Sequence, residues 1–338
     1  MRSRAIAFTA LAVVCIVAAA AAAAIAVVGA GNERAASKRA VAAARPKAAQ
    51  VLASGKPIAV LRMLDRRHPE TYGRMAIAPL DGARPGAPIL AGPSCARVAF
   101  GAGEGLCLDL LGTQMAVKVL DGRLNQVHEL DLPGIPSRAR ISPDGRWGGV
   151  TAFIVGHAYA APGQFSTAAT IIDMRTGRKV ADLEKDFTVT DRGKVVDARD
   201  RNYWGLTFAD DGDTFYATLA ANGSTWLIKG SIRARTAHTI HENVECPSLS
   251  PDGTQIGYKK AVAHNPAQWR FTVLDLATGK ETPLSETRSV DDQLAWLDDG
   301  HLLYGDGKRT WMVDADGAGR PEVWLNGTDS PTADDAAT

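Results

Sequence analysis

The sequence predicts an all-β chain that folds as a six-bladed β-propeller, preceded by an N-terminal transmembrane helix. Three observations lead to this prediction: a long charge-free segment at the N-terminus, two kinds of turn that recur along the chain, and short strands of β-branched and aromatic residues between those turns. The repeating region spans residues 57–326. Its spacing also fits five or seven blades, and an open two-sheet sandwich is the main alternative fold.

The N-terminal segment is the first predicted element. Residues 5–30 contain no charged side chain, whereas the apolar core of a signal peptide spans about 7–15 residues and a membrane-spanning helix needs about 20. We therefore predict a single-pass anchor at 5–30 after a cytoplasmic stub at 1–4, with the propeller outside the cytoplasm. Lys and Arg flank the segment on both sides, so charge alone does not fix its orientation. Cleavage of the segment, which would release a secreted protein, is the alternative.

A turn that follows a short apolar segment recurs along the body. It appears as RISPDGRW at 140–147, TFADDGDTFY at 207–216, SLSPDGTQIGY at 248–258 and AWLDDGHLLY at 295–304. In the SPDG form, proline presets the first central dihedral of a type I turn, aspartate tolerates the second, and glycine accepts positive φ. Each copy therefore predicts a β-hairpin.

A second turn, containing a glycine after an apolar strand, marks each repeating unit. Its glycines lie 38 to 55 residues apart, the length of a four-stranded propeller blade, at Gly82, Gly122, Gly177, Gly230, Gly279 and Gly317. A lone four-stranded sheet cannot bury its faces, so consecutive sheets must stack, and a closed ring leaves only short edges. We predict blades at 57–91, 92–134, 135–183, 203–241, 243–285 and 290–326.

The two ends of the body carry further predictions. The first blade is short of one strand, so closure of the ring is expected to take a strand from a chain terminus. Residues 31–56, rich in Ala, Lys and Arg, are predicted to form a linker that is helical in part. The tail at 327–338 is acidic and composed mainly of small residues, and is predicted to be disordered.

The repeats resemble those of the TolB-like β-propeller proteins. The resemblance rests on the segments DARDRNYWGLTFADDGDTFYATL, NVECPSLSPDGTQIGYKK and VDDQLAWLDDGHLLYG, and it covers residues 58–326. It is strongest to the membrane-anchored or secreted group of actinobacteria. The resemblance implies a propeller outside the cytoplasm that acts as an interaction module of the cell envelope. The spacer at 31–56 is too short for the N-terminal α/β domain that TolB carries.

The cysteines point to the compartment. Cys95 and Cys107 flank a glycine-rich turn on two short apolar segments, so in a hairpin they could face each other within disulfide reach. Two ordinary buried thiols are the alternative. We predict Cys246 to be a buried free thiol. A disulfide would indicate an oxidising compartment.

The sequence lacks the motifs of common enzymes. It contains neither G-x-S-x-G nor H-E-x-x-H, and its seven His form no cluster with Cys. We therefore expect no enzymatic activity, no metal site and no cofactor. The alternative function is a lactonase-like hydrolase with a metal in the central channel. The net charge of +1 and the absence of an extended basic face argue against nucleic-acid binding.

Two connections, at 156–167 and 184–202, break the repeat and are candidates for recognition, because long loops on a rigid scaffold often bind ligands. Charged and aromatic residues cluster after the second connection and before the last blade. They could line the mouth of the central channel, or they could pair between blades and solvate loop ends. The predicted partner is an envelope protein or a small ligand. The candidate binding residues are Asp197, Asp200, Arg201, Asn202, Trp204, Asp291, Asp292 and Gln293.

Overall fold

The computed structural model describes residues 2–154, 166–264 and 266–334. Of the connection at 156–167 that the sequence singled out, residues 156–165 lie outside these ranges, and residues 166 and 167 belong to a strand. One helix, α1 (Arg2–Leu52), covers the charge-free segment and residues 31–52 of the linker predicted at 31–56. Toward its C-terminal end, Ala48 is buried in a cluster with Ile58 and Ile77 of the propeller. Within the described ranges, no helix combines the length and the apolar character needed to cross a membrane.

The body consists of strands, as the recurring turns predict. The strands of the first three blades are β1 (Ile58–Met63), β2 (Arg74–Asp81), β3 (Arg84–Pro85), β4 (Ile89–Ser94), β5 (Arg97–Gly101), β6 (Glu104–Leu111), β7 (Gln114–Leu120), β8 (Gln126–Pro133), β9 (Ile135–Ile141), β10 (Trp147–Ile154), β11 (Ser166–Asp173) and β12 (Arg178–Asp182). A single helical turn, α2 (Leu183–Asp186), follows.

The remaining strands are β13 (Thr188–Asp191), β14 (Lys194–Val195), β15 (Asn202–Phe208), β16 (Thr214–Ala221), β17 (Ser224–Ser231), β18 (Thr236–Glu242), β19 (Glu245–Leu249), β20 (Gln255–His264), β21 (Ala267–Asp275), β22 (Glu281–Pro283), β23 (Ala295–Asp298), β24 (His301–Gly305), β25 (Arg309–Asp314), β26 (Glu322–Asn326) and β27 (Thr328–Asp334). The connection at 184–202, expected to be a loop, contains the hairpin β13–β14, and β13 pairs parallel with β18 on the outer edge of its sheet.

These strands form six sheets arranged as a ring. Five sheets are built from consecutive strands, and the sixth joins β27 to β1, β2, β3 and β4. The innermost strands are β27, β5, β9, β15, β19 and β23, and each contacts the next until β23 meets β27. The six-bladed β-propeller predicted from the sequence is therefore confirmed.

The ring is closed by the C-terminus. Strand β27 pairs antiparallel with β1, with Val60 opposite Thr332 and Arg62 opposite Asp329. The first blade does take a strand from a chain terminus, as its missing strand suggested. The prediction of a disordered tail at 327–338 is wrong for residues 328–334. Polar side chains hold this strand, since Ser330 Oγ accepts a hydrogen bond from the Val98 amide at 3.2 Å.

The recurring turns act as predicted. In the third blade, Gly145 has a φ of 70°, and Ser142 Oγ accepts the Trp147 amide at 2.8 Å across the turn. A residue with a Cβ atom would be strained at this φ. The same arrangement recurs at Gly253, where φ is 72°. The two SPDG turns thus place equivalent hairpins in two blades.

Indole groups tie neighbouring blades together. Trp147 Nε1 donates to the carbonyl of Gly212 at 3.0 Å, and Trp296 Nε1 donates to the carbonyl of Ser248 at 2.8 Å. Each bond joins a strand of one blade to its neighbour, while the rings fill the apolar layer between the sheets. Aromatic burial and a satisfied N–H together hold the ring rigid around its axis.

Candidate functional site in the central channel

The channel along the propeller axis has three parts, which we call the mouth, the waist and the funnel. The mouth lies where the innermost strands begin and borders a cavity of about 430 Å³. The funnel lies where those strands end, beside the SPDG turns, and has a volume of about 570 Å³. Between them lies the waist, a constriction whose cavity has a volume of only about 20 Å³. A ligand larger than a water molecule therefore cannot pass through the waist, and it must enter the channel from the mouth or from the funnel.

The mouth is a network of ion pairs between blades. Arg97 Nη1 lies 3.1 Å from Asp292 Oδ1. Asp291 Oδ1 lies 3.3 Å from Arg138 Nη2 and 2.5 Å from Lys259 Nζ. Burial acts to raise the pKa of Asp291, but Lys259 and Arg138 hold it below its usual range. Asp291 and Asp292 thus do pair between blades, in the manner of the second alternative raised by the sequence.

The two carboxylates, Asp291 and Asp292, differ in their exposure to solvent. Asp292 is buried at 5% exposure, and its Oδ2 also accepts the Gly305 amide at 2.8 Å. The Asp291 side chain stays 61% exposed at the rim. Asp292 is therefore a structural group, whereas Asp291 remains open to a ligand at the mouth.

The waist carries hydrogen-bond donors that the protein does not satisfy. Arg138 Nε, Arg140 Nε and Gln293 Nε2 are buried and have no acceptor among the described residues. All three residues line the waist. Buried donors left unpaired cost about 1–3 kcal/mol each, and the waist has room for a water molecule to accept hydrogen bonds from them.

Arg140 is the most unusual of these residues. It projects from β9 and lines both the waist and the funnel. Its Nη2 donates to Ser248 Oγ at 3.0 Å and to the carbonyl of Leu294 at 2.7 Å, and no carboxylate in the described part of the chain forms an ion pair with it. Burial lowers the pKa of Arg140 to about 10, although Asp292 opposes this shift. Arg140 is thus a half-buried cation whose charge lacks a direct counter-ion among the described residues.

The funnel wall around Arg140 is mixed in character. Trp296, Leu297 and Pro143 supply apolar surface, and Thr332 supplies a hydroxyl group. The Asp144 carboxylate at the rim is engaged by Ser142 Oγ at 2.5 Å and by the Arg146 amide at 3.1 Å. The funnel therefore combines an apolar wall, a cation at its floor and two carboxylates in its lining, Asp144 and Asp334.

The structure places the candidate residues around 197–204 differently. Asp197 is 94% exposed, and its nearest cation is Arg201, four residues along the chain at 3.4 Å. Arg201 Nη1 also donates to the carbonyl of Val196 at 2.7 Å. These contacts are local and stabilise the approach to β15 rather than joining the ion pairs of the mouth.

The other residues of this group, Asn202 and Trp204, stabilise the blade. Asn202 Oδ1 accepts the Thr167 amide at 3.0 Å, and its Nδ2 donates to the carbonyl of Asp200 at 3.2 Å. Trp204 is only 6% exposed. It therefore packs within the propeller and does not offer an exposed aromatic surface for recognition.

The structure also shows the state of the cysteines and whether metal-ligating side chains lie close together. Cys95 and Cys107 are joined by a disulfide, with 5.4 Å between their Cα atoms, and Cys246 is a buried free thiol. Across the described ranges, no three His, Cys, Asp or Glu side chains group closely enough to hold a metal ion.

Sequence reasoning missed most of the charged residues of the channel. The recurring turns contain a signal for Arg140, because alignment of the four copies places it opposite Thr207, Ser248 and Ala295. It is the one charged residue at that repeat position. The others look like ordinary solvent-facing strand residues and have no such signal. The missed residues are Arg62, Arg97, Arg138, Arg140, Glu245, Lys259 and Asp329.

Comparison with known proteins supports the fold. No protein-family model matches the chain, and no curated sequence is similar to it. TolB from Acinetobacter baumannii superposes with a TM-score of 0.57 at 17% identity, over 84% of this chain and 67% of that one. A chain of a nidogen/laminin complex superposes with a TM-score of 0.51 at 12% identity, over 82% of this chain and 98% of that one. At these identities the likeness establishes the fold alone. The chain therefore has a TolB-like β-propeller fold.

Proposed function

We propose that the chain is a non-enzymatic binding module of the cell envelope, located outside the cytoplasm. Its ligand is a protein segment or small molecule that places an anionic group in the funnel, against Arg140. The observation that carries this proposal is the half-buried Arg140 guanidinium, which has no ion-paired carboxylate in the described residues. An anion in the funnel would supply the counter-charge that Arg140 lacks.

The chemistry of the site favours binding over catalysis. Guanidinium and amide groups donate hydrogen bonds but are neither nucleophiles nor general bases. With its pKa at about 10, Arg140 remains a cation at neutral pH and does not exchange protons with a substrate. The apolar wall formed by Trp296 and Leu297 would exclude water and strengthen the attraction to an anion.

Two features support a location outside the cytoplasm. The Cys95–Cys107 disulfide is typical of proteins that fold in an oxidising compartment. The charge-free segment at 5–30 has the composition of a segment that directs export.

Site-specific photo-crosslinking in living cells tests this proposal. A benzophenone amino acid replaces Pro143, an exposed residue on the funnel rim. As a control, the same amino acid replaces Val195, which is 62% exposed on the outer hairpin. We expect an adduct from the funnel position and none of the same mass from the outer position.

The substitution Arg140→Gln makes the test specific. It removes the charge while keeping a polar side chain, so the adduct at position 143 should disappear while the fold, followed by circular dichroism, persists. An adduct that is equally strong with Arg140→Gln, or that arises equally from position 195, would contradict the assignment of the funnel.

A further inference from the structure

A second cavity lies on the side of the propeller, away from the channel. It is bounded by the C-terminal part of α1, by β4 and by the turn that follows β7, and its volume is about 720 Å³. We call it the α1 cleft. Three arginines line it: Arg45 from the helix, Arg74 from the first residue of β2, and Arg123 from the turn. None of the described residues that line the cleft is an Asp or Glu.

The three guanidinium groups have no ion-pair partners in the described part of the chain. Arg45 Nη2 donates to the amide oxygen of Asn125 at 2.9 Å. Arg74 Nε donates to Ser37 Oγ at 2.6 Å. Asp121, the nearby carboxylate, accepts the amides of Arg123 and Asn125 at 2.9 and 2.8 Å and does not line the cleft.

Like charge around one concave space, with Arg74 half-buried and Arg45 and Arg123 exposed, makes this arrangement costly without an anion. Arg74 is half-buried, and burial lowers its pKa. Surface arginines ordinarily find a carboxylate or open water, whereas three of them around one concave space repel one another. The arrangement therefore favours a ligand with several charged oxygens, because guanidinium forks match the geometry of phosphate.

The walls of the cleft narrow the choice of phosphate ligand. Val41, Leu52, Leu124 and Pro93 supply apolar surface beside the arginines. A free phosphate ion would leave this surface unused, whereas a lipid places acyl carbons next to its phosphate.

We propose that the α1 cleft binds the phosphate of an anionic phospholipid headgroup, with Arg45, Arg74 and Arg123 as its ligands. The apolar wall receives the first carbons of the acyl chains. This site is separate from the funnel and does not depend on the function proposed above. It would hold the side of the propeller against a lipid surface and leave the channel free for its own ligand.

The test is a calorimetric titration of the full chain, purified in dodecyl maltoside. The probes are dihexanoylphosphatidylglycerol, dihexanoylphosphatidylcholine and inorganic phosphate. We expect saturable binding of the phosphatidylglycerol and at least about tenfold weaker binding of the other two, because each charged hydrogen bond contributes on the order of tenfold in affinity. Equal affinity for the two lipids, or tighter binding of inorganic phosphate, would overturn the proposal.

Two variants make the result specific. Arg45, Arg74 and Arg123 are all replaced by Gln, and the matched control replaces Arg84, Arg175 and Arg320, which are exposed and form no ion pair among the described residues. Both triple variants change the net charge equally, so only the first should lose affinity for phosphatidylglycerol. An equal loss of affinity in both triple variants would show that binding depends on net charge and not on the cleft.

The single variant Arg123→Gln guards against misfolding of the first triple variant. The Arg123 side chain is exposed and its structural bond is through the backbone amide, so the fold should be unaffected. This variant should weaken phosphatidylglycerol binding on the order of tenfold by itself. Unchanged affinity would contradict the role of the turn in the cleft.

Discussion

Neutralising Asp329 should weaken the closure of the ring. The Asp329 carboxylate accepts two hydrogen bonds from Arg62, at 2.7 and 2.5 Å, and joins β27 to β1. Asp329 is 5% exposed, so Asp329→Asn leaves a largely buried guanidinium without its counter-charge. Breaking a buried ion pair costs about 3–5 kcal/mol, and the partial exposure of Arg62 places the expected loss near the lower end, at about 3 kcal/mol.

Urea unfolding of the full chain, followed by tryptophan fluorescence, measures this loss. A loss of about 3 kcal/mol should lower the urea midpoint by on the order of 1 M, since the dependence on urea for a domain of this size is about 3 kcal/mol/M or steeper. The control is Asp210→Asn in an exposed turn, which should change the free energy of unfolding by less than about 0.5 kcal/mol.

A double variant tests the physical cause. Replacing both partners, as Arg62→Met with Asp329→Leu, removes the unpaired charge and should recover at least half of the loss. If Asp329→Asn unfolds at the same midpoint as the wild type, the ion pair does not hold β27 in place. If the double variant is no more stable than Asp329→Asn, the loss does not come from a stranded charge.

Three further predictions concern stability. Burial raises the pKa of Glu184 to about 8 from 4.5, so the folded state retains a proton that the unfolded state loses. As the pH rises between these two pKa values, the free energy of unfolding should fall by up to about 1.4 kcal/mol per pH unit. Urea titrations of Glu184→Gln at several pH values should show a flatter dependence on pH. An equal dependence in the variant would exclude Glu184 as its source. Reduction of the Cys95–Cys107 disulfide, whose residues are 12 apart, should cost about 3 kcal/mol in urea unfolding with and without dithiothreitol, and identical midpoints would contradict this. Trp296→Phe removes the buried bond to the Ser248 carbonyl and should cost about 1–3 kcal/mol by thermal unfolding; an unchanged melting temperature would show that the bond contributes nothing.

The blades could be predicted from the sequence because their turns repeat. Proline, aspartate and glycine at fixed positions define the backbone of a hairpin regardless of what surrounds it. The structure accordingly has a hairpin at each SPDG turn, with positive φ at Gly145 and Gly253. Local chemistry therefore carried enough information to predict the hairpins and to favour six sheets over the five or seven that the spacing also allowed.

Closure by a strand from a chain terminus was predicted, but the residues that form this strand could not be, because its burial is polar. Strand β27 reads TDSPTAD, without the alternating apolar residues that mark a half-buried strand. Its side chains are held by hydrogen bonds to neighbouring strands, such as Thr332 Oγ1 with the Phe100 amide at 3.1 Å. Such a strand is recognisable only when its partners are in place.

The channel residues show the same limit. Asp291 and Asp292 could be selected because they form a cluster in the sequence, whereas their partners Arg97, Arg138 and Lys259 come from three other blades. No local pattern brings these five residues together. Asp197 and Trp204 were selected by the same clustering rule, but the first is a surface residue and the second is buried in the propeller.

The most direct test of the binding site is a crystal structure of the protein isolated from its own cells, at a resolution that shows the contents of the funnel. Our account predicts an anionic group within hydrogen-bonding distance of the Arg140 guanidinium, below the wall formed by Trp296 and Leu297. A funnel that contains only water, with Arg140 ion-paired to a carboxylate of the chain itself, would contradict it.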